Sequence, residues 1–235
     1  MGRVGVSIKD IIYFLNEIKK LENIELEGIY THFSSADMDK DYTIEQINKF
    51  NSVLKKAEDN GLIFKYIHAS ASSGILNFPN AKFNMVRPGI ITYGYMPDKS
   101  VKNILDLKPA VKLISHVVFV KEVPKGTSIS YGRTYITKDR RKIATVPLGY
   151  TDGVRRLLSN KGRVYVNGKY ANIVGNVCMD NFMIDVTDID INVGDKVYLW
   201  DNINIDVEEI ASICSTINYE ILCGISKRVK REYIS

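Results

Sequence analysis

The spacing of apolar residues alternates between helical and strand-like patterns over the first part of the chain. Residues 7–21 and 44–60 place apolar side chains three and four positions apart, which predicts two amphipathic helices, with Ser7 as the N-cap of the first. Short, β-prone apolar runs predict strands at 26–33, 66–70 and 90–95. Helices that alternate with short apolar strands indicate βα units around a parallel sheet.

The pattern changes near residue 107. Beyond it, Gly, Pro, Asn and Asp turns separate runs with strand character at 111–123, 141–147, 161–165, 169–174, 183–185 and 196–200. Residues 206–216 predict a short helix, and residues 224–234 predict a last strand. We therefore expect an α/β domain over residues 1–107 and an all-β domain, a small barrel or sandwich, over residues 108–235.

Composition narrows the class of protein. The chain of 235 residues is 45% hydrophobic and 25% charged, which is typical of a globular protein. Its net charge of +5 comes from scattered Lys and Arg, so nucleic acid is not an expected partner, whereas a small anionic ligand is compatible. The three cysteines have no metal-ligand spacing and indicate a reducing cytoplasm. We expect no metal, and no signal peptide or apolar span that indicates a membrane.

Polar residues follow each predicted strand of the first domain, at 32–37, at 70–73 and at the turn around Gly89. In a βα barrel such loops form the C-terminal face, where ligands bind. Ser72 lies at the start of a predicted helix, where backbone N–H groups favour a phosphate. Arg87, at the mouth of a predicted buried strand, has two interpretations: it meets an anionic group or a ring nitrogen, or it pairs with a carboxylate or caps carbonyls in a structural role.

Polar loops of the second domain carry further candidate chemistry. Tyr131 stands beside Gly132, Tyr150 lies in a polar loop at 149–153, and a third such loop covers 178–181. A free phenol has a pKa of about 10 and acts as a base near neutrality only beside a cationic group. Tyr131 considered alone is therefore either an acid/base or a packed aromatic residue.

Short motifs occur in one order and spacing from the first residue to the last. They are MGRVG (1–5), THF (31–33), RPGI (87–90), YGY (93–95), SYG (130–132), GYTDG (149–153), GNVCMD (175–180) and NYE (218–220). In this combination the chain resembles alanine racemase, a pyridoxal-phosphate enzyme of fold type III. The resemblance implies the C-terminal part of a TIM-type (β/α)8 barrel, followed by the family's β-strand-rich domain.

The resemblance also implies catalytic roles. Tyr131 matches the tyrosine that acts as acid and base, across the interface of a homodimer, on the cofactor-bound substrate in the partner's barrel. His32 matches the histidine that hydrogen-bonds this tyrosine. Arg87 matches the arginine that faces the pyridine nitrogen of pyridoxal phosphate. The implied reaction interconverts L- and D-alanine and supplies D-alanine for peptidoglycan in the bacterial cytoplasm.

Binding residues follow from the same resemblance. Positions that contact the cofactor phosphate correspond to Ser72, Gly89, Ile90 and Tyr219. Positions near the substrate carboxylate or along the access path correspond to Arg3, Met179, Tyr150 and Asp180, the last with a structural role as an equal alternative.

The chain also departs from the family pattern. It resembles about the last two-thirds of the enzyme, and the family's Schiff-base lysine segment has no counterpart, because Lys9, Lys65 and Lys112 all have the context of surface residues. Ala71 stands where an asparagine is common. We therefore expect little or no activity from the isolated chain. The alternatives are a non-catalytic dimerising remnant, half of a split enzyme, or a racemase for serine or another small amino acid.

Overall fold

The computed structural model describes residues 1–98 and 105–234. The chain divides into two compact units, Met1–Ala110 and Val111–Ser235. None of the helices within the described ranges has the length and the apolar character needed to cross a membrane.

The first unit is built from βα elements. In chain order they are α1 (Ile11–Lys19), β1 (Gly28–Tyr30), α2 (Lys40–Asp59), β2 (Tyr66–His68) and α3 (Ser72–Asn77), with 3-10 turns at Pro79–Ala81 and Ile90–Tyr93. Strands β1 and β2 pair in parallel, with Tyr30 opposite His68. Met85 makes a further parallel bridge to His68, so the segment before Arg87 runs beside β2. The predicted parallel βα arrangement is confirmed.

Helix α2 shows why the periodicity is informative. Its apolar stripe places Phe50, Val53 and Ala57 in the interior. The Asp39 carboxylate accepts a hydrogen bond from the Tyr42 N–H at 2.9 Å and caps the N-terminus. Phe50 then packs in one cluster with Phe33 and Phe78, which lie beyond the ends of β1 and α3. This packing fixes the loops that follow the strands.

Two expectations for the first unit are wrong. Helix α1 begins at Ile11, not at Ser7, because the Ser7 hydroxyl bonds the Asp10 carboxylate at 2.7 Å and not a helical N–H. Residues 90–95 do not form a strand. The Thr92 N–H and hydroxyl both bond the Gly89 carbonyl, at 2.9 and 2.7 Å, and close a 3-10 turn that ends at Gly94 with a φ of 83°.

The second unit consists of antiparallel sheets. Its strands are β3 Leu113–His116, β4 Phe119–Val123, β5 Ser128–Ile129, β6 Tyr135–Ile136, β7 Arg141–Val146, β8 Arg163–Val166, β9 Lys169–Asn172, β10 Phe182–Asp185 and β11 Lys196–Trp200. One sheet has the strand order β10-β7-β4, another has the order β3-β11-β8-β9, and β5 pairs with β6. Helices α4 (Val207–Ile213) and α5 (Asn218–Cys223) follow, and 3-10 turns lie at Tyr131–Arg133 and Arg156–Leu158.

The predicted β-rich character of this part is confirmed, with one error at its end. Phe182, Ile184 and Val164 are fully buried on alternating strand positions, and together with Trp200, which is buried at the end of β11, they form part of the core. The predicted strand over 224–234 is absent from the described residues. There the Arg231 guanidinium donates to the carbonyls of residues 225, 226 and 229, which folds the segment back on itself and leaves no strand ladder.

Candidate active site

The first group of candidate residues lies at one edge of the β1–β2 pair. Because the two strands run parallel, their carboxyl ends meet at the same edge. His32 follows β1, Ser72 follows β2, and Arg87 is held beside them by its own N–H, which donates to the Ser70 carbonyl at 2.9 Å. Three residues that are far apart in sequence are thereby brought together.

Arg87 is clamped by the ends of both strands. Its Nη2, which carries two N–H groups, lies within hydrogen-bond distance of three acceptors: the carbonyls of Thr31 and Ala69, at 3.1 and 3.0 Å, and His32 Nδ1 at 3.0 Å. Its Nη1 donates to His68 Nδ1. No carboxylate pairs with Arg87 within residues 1–98 and 105–234, so the guanidinium caps carbonyls but keeps an uncompensated positive charge in a half-buried position.

An aromatic layer supports this clamp. The Tyr30 ring stacks parallel on the His68 ring, with centroids 5.0 Å apart, and the Arg87 guanidinium lies 5.3 Å from the Tyr30 centroid. The Arg87 guanidinium is thus held by hydrogen bonds to its N–H groups and by contact with the Tyr30 ring.

Electrostatics fix the protonation of this cluster. Burial lowers the pKa of His32, and the charges of Arg87 and Arg3 lower it further. Burial and then the Arg87 charge lower the pKa of His68 in the same way. Both imidazoles are therefore neutral near pH 7. Because each accepts an Arg87 hydrogen bond at Nδ1, each carries its proton on Nε2.

Burial also lowers the pKa of Arg87, but a guanidinium remains protonated in proteins. Arg3, which is itself exposed, acts on this cluster through its charge, which lowers the pKa of both Arg87 and His32. The sequence-predicted Arg3 therefore belongs to the same electrostatic neighbourhood.

A second group of polar atoms adjoins the Arg87 segment. Ser72 is buried at the start of α3, and its hydroxyl accepts a hydrogen bond from the Gly89 N–H at 3.0 Å. The 3-10 turn begins at the next residue, Ile90, whose side chain is buried. The N-termini of α3 and of the 3-10 turn, whose first N–H groups have no acceptor within their own helix, therefore lie together at the Ser72 hydroxyl. A Cβ at Gly89 would lie 3.6 Å from Ser72 Oγ and fill the space above it.

The third group of candidate residues lies in the second unit. Tyr131, Tyr150, Met179 and Asp180 all line one open pocket of about 380 Å³. The remaining lining residues are Arg156, Asn176, Val177, Cys178 and Asn181. The structure thus unites four of the predicted residues. The fifth predicted residue of this unit, Tyr219, lies in α5.

Backbone contacts set the register of the pocket loops. The N–H groups of Tyr150 and Thr151 donate to the carbonyls of Cys178 and Met179, both at 3.0 Å. Gly149 is obligatory here, because a Cβ would lie 2.3 Å from the Met179 carbonyl. The Asp152 carboxylate accepts from the Gly149 N–H at 3.0 Å and ties the loop together. Asp180 accepts from the Asn181 side chain at 2.8 Å.

Sequence reasoning missed the roles of several residues. His68 and Tyr30 stood in the sequence only as strand residues, although the end of a parallel strand was a usable signal for His68. Asn176 stood only within a motif, and its contact with Tyr131 depends on two loops that are distant in sequence. Within the described residues, no group of three His, Cys, Asp or Glu side chains is placed to hold a metal ion.

Comparison with known proteins identifies the family. The sequence model of the alanine racemase N-terminal domain matches residues 1–97, and that of the alanine racemase C-terminal domain matches residues 110–233. The chain is 48% identical, over 238 residues, to an alanine racemase of Halothermothrix orenii, covering 99% of this chain and 63% of that protein. It is 46% identical, over 240 residues, to an alanine racemase of Clostridium perfringens, covering 99% of this chain and 62% of that protein.

Solved structures agree with the sequence relatives. An alanine racemase of Clostridium difficile 630 superposes with a TM-score of 0.95 at 42% identity, over 100% of this chain and 62% of that one. The alanine racemase of Streptomyces lavendulae superposes with a TM-score of 0.94 at 31% identity, over 100% of this chain and 64% of that one. The chain thus spans a little under two-thirds of the length of these relatives. It belongs to the alanine racemase family.

Proposed function

We propose that this chain carries three parts of a pyridoxal-phosphate-dependent alanine racemase, an enzyme that interconverts L- and D-alanine. These parts are the arginine that faces the ring nitrogen of the cofactor, the residues that bind its phosphate, and the tyrosine that acts as acid and base. The observation that carries the proposal is the Arg87 clamp, a fixed guanidinium with no carboxylate partner in the described ranges, beside the Ser72–Gly89 pair. Residues 1–107 are proposed as a partial barrel domain that binds the cofactor, and residues 108–235 as the family's β domain.

The donor set fits pyridoxal phosphate. The Ser72 hydroxyl and the N–H groups that begin α3 and the Ile90 turn are neutral donors that suit a phosphate. From the family pattern alone, we also propose Tyr219 as a phosphate-contacting residue. Arg87 suits a hydrogen-bond acceptor such as a ring nitrogen, because no carboxylate in the described ranges occupies the N–H groups that its contacts leave available. When bound, the cofactor supplies the electron sink for the carbanion that forms at the substrate Cα.

Arg87 sets the strength of that electron sink. A guanidinium does not release its proton, so Arg87 would donate a hydrogen bond to the ring nitrogen of the cofactor without protonating it. The cofactor would then be a weaker electron sink than with a protonated nitrogen, which would disfavour side reactions such as transamination and suit a racemase.

Tyr131 is proposed to take a proton from Cα, or return one, on one face of the substrate held by the partner's barrel in a homodimer. Its phenol is exposed and therefore accessible to another subunit. Arg87 contacts Nδ1 of His32, which leaves the Nε2–H as the proposed donor to the tyrosine oxygen. Arg3 and Met179 are proposed to lie near the substrate carboxylate, Tyr150 along the access path, and Asp180 beside Met179.

The setting follows from the relatives. Curated relatives are named alanine racemases, and one solved relative, from Bacillus anthracis, is described with bound L-Ala-P. We propose a small amino acid, alanine first, as the substrate, a cytoplasmic location, and D-alanine supply for peptidoglycan as the role.

The isolated chain is proposed to have little turnover. Every lysine of the first unit that the structure describes is exposed, and Lys65 is engaged by Glu27 at 2.9 Å. The side-chain contacts of Arg87 and Ser72 within the described residues involve no lysine that could anchor the cofactor covalently.

The test uses two proteins. One is the purified chain, and the other is a chimera that adds the part of the Halothermothrix orenii relative lying outside the match. Both are assayed with pyridoxal phosphate for D-alanine formed from L-alanine, and in parallel with L-serine. We expect the chimera to racemise alanine, Tyr131→Phe in the chimera to abolish it, and the chain alone to be nearly inactive. An inactive chimera that binds the cofactor, or a Tyr131→Phe variant with full activity in both directions, contradicts the proposal. Faster racemisation of L-serine than of L-alanine would show that serine, and not alanine, is the preferred substrate.

A further inference from the structure

We propose that Asn176 is a positioning residue that holds the strained turn carrying Tyr131. The catalytic consequence rests on the function proposed above, whereas the structural part does not. Tyr131 is 77% exposed, and within the described residues no hydrogen bond holds its hydroxyl. Within this chain, the position of the Tyr131 side chain therefore depends on the backbone of the turn.

That backbone is in an unfavourable conformation. Ser130 has φ 65° and ψ −179°, a region that is essentially restricted to glycine. Gly132 and Arg133 follow with φ values of 72° and 51°. A turn with a non-glycine residue in such a conformation persists only where the surrounding structure holds it.

Asn176 makes two hydrogen bonds with this turn. Its side-chain Nδ2 donates to the Tyr131 carbonyl at 2.7 Å, and its own carbonyl accepts from the Ser130 hydroxyl at 2.6 Å. Its amide also packs on the turn, because a Cβ at Gly132 would lie 3.3 Å from Nδ2. One residue thus bonds both Ser130 and Tyr131.

Asn176 is in turn anchored from a third loop. The Asn160 side chain accepts from the Gly175 N–H at 2.6 Å and donates to Thr134 Oγ1 at 3.0 Å. The Ser159 hydroxyl accepts from the Val177 N–H at 2.9 Å. Both neighbours of Asn176 and the residue that follows the turn are therefore fixed by residues 159 and 160.

This arrangement links the tyrosine to the pocket. Asn176 and Met179 lie on one segment that lines the same pocket as Tyr131. Proton transfer requires a heavy-atom separation of about 2.6–3.2 Å, and a misplacement of about 1 Å costs on the order of 100-fold in rate. The hydrogen bond from Asn176 therefore sets the position of the acid/base relative to the residues proposed to hold the substrate.

The structural part is tested on the chain itself by trypsin cleavage after Arg133, in the turn. Proteolysis reports the population of the opened turn when opening is fast. We expect Asn176→Ala and Asn176→Asp to raise the cleavage rate about tenfold, the second because it replaces the donor with an acceptor facing a carbonyl. The matched control Asn172→Ala, an exposed asparagine on β9, keeps the wild-type rate. Equal rates in all variants overturn the proposal.

The catalytic part is tested in the chimera. We expect Asn176→Ala to lower kcat about tenfold or more with KM changed less than about twofold, because Asn176 holds the base and not the substrate. The isotope effect of α-deuterated alanine should rise only in the direction in which Tyr131 removes the proton. A rise in KM alone, or isotope effects unchanged in both directions, overturns the positioning role. An inactive wild-type chimera overturns the proposed function while the proteolysis result stands by itself.

Discussion

Asp152 offers the sharpest test of the packing argument in the second unit. Its side chain is 8% exposed, and its two oxygens have different partners. One accepts from the Gly149 N–H at 3.0 Å, and the other lies 3.5 Å from Nε of Arg228, whose side chain is 62% exposed. The two contacts of one carboxylate therefore differ in burial, and their contributions to the free energy of unfolding should differ as well.

The magnitudes follow from that burial. Asp152→Ala removes a buried charge-assisted hydrogen bond and leaves the Gly149 N–H without its acceptor, which costs about 2–3 kcal/mol. Asp152→Asn keeps an oxygen that can accept from Gly149 and should cost about 1 kcal/mol. Arg228→Ala removes only an exposed ion pair and a surface hydrogen bond, and should cost less than about 1 kcal/mol.

Urea unfolding followed by tryptophan fluorescence measures these differences. The chain has one tryptophan, Trp200, which is buried on β11 in the same unit as Asp152. With a urea dependence of about 1–3 kcal/mol per molar, Asp152→Ala should lower the midpoint by about 1 M or more, and Arg228→Ala by much less. An Arg228→Ala variant as unstable as Asp152→Ala would contradict this prediction, because the exposed ion pair and not the buried N–H contact would then contribute most of the stability.

Three further predictions concern the first unit. Arg87→Lys should lower the free energy of unfolding of this unit by about 2 kcal/mol, because one ammonium group cannot replace all the hydrogen bonds that the guanidinium makes to carbonyls and imidazoles. Urea unfolding followed by circular dichroism of the helices measures this change. Gly94→Ala should cost more than about 2 kcal/mol in the same assay, since the added Cβ meets the Lys108 carbonyl at 1.9 Å and φ is 83°. Because the pKa values of His32 and His68 are lowered in the folded chain, the unfolded chain binds more protons below about pH 6.5. The free energy of unfolding should therefore fall as the pH is lowered through that range, and it should fall less in a His32→Asn/His68→Asn double variant. Thermal unfolding midpoints measured from about pH 7.5 to 5 test this prediction.

Some errors of sequence interpretation have a physical cause. The run at 90–95 is apolar and β-branched, but a single 3-10 turn needs no periodicity, and the Thr92–Gly89 contacts with the αL conformation of Gly94 decide its shape. The segment at 224–234 has strand-like composition, yet Arg231 satisfies its carbonyls locally, and no sequence pattern indicates which carbonyls a guanidinium will reach.

Elements with periodic burial, such as α2 and the alternating strands of the second unit, could be predicted from residue patterns, because one apolar face must be removed from water. The family could be predicted as well, through motifs that keep their order. The contacts of Arg87 with Thr31, Ala69 and two imidazoles, and of Asn176 with Tyr131, became visible in the folded chain alone. These contacts join loops far apart in sequence, and hydrogen bonds between such loops depend on where parallel and antiparallel strand ends meet, which local residue patterns do not encode.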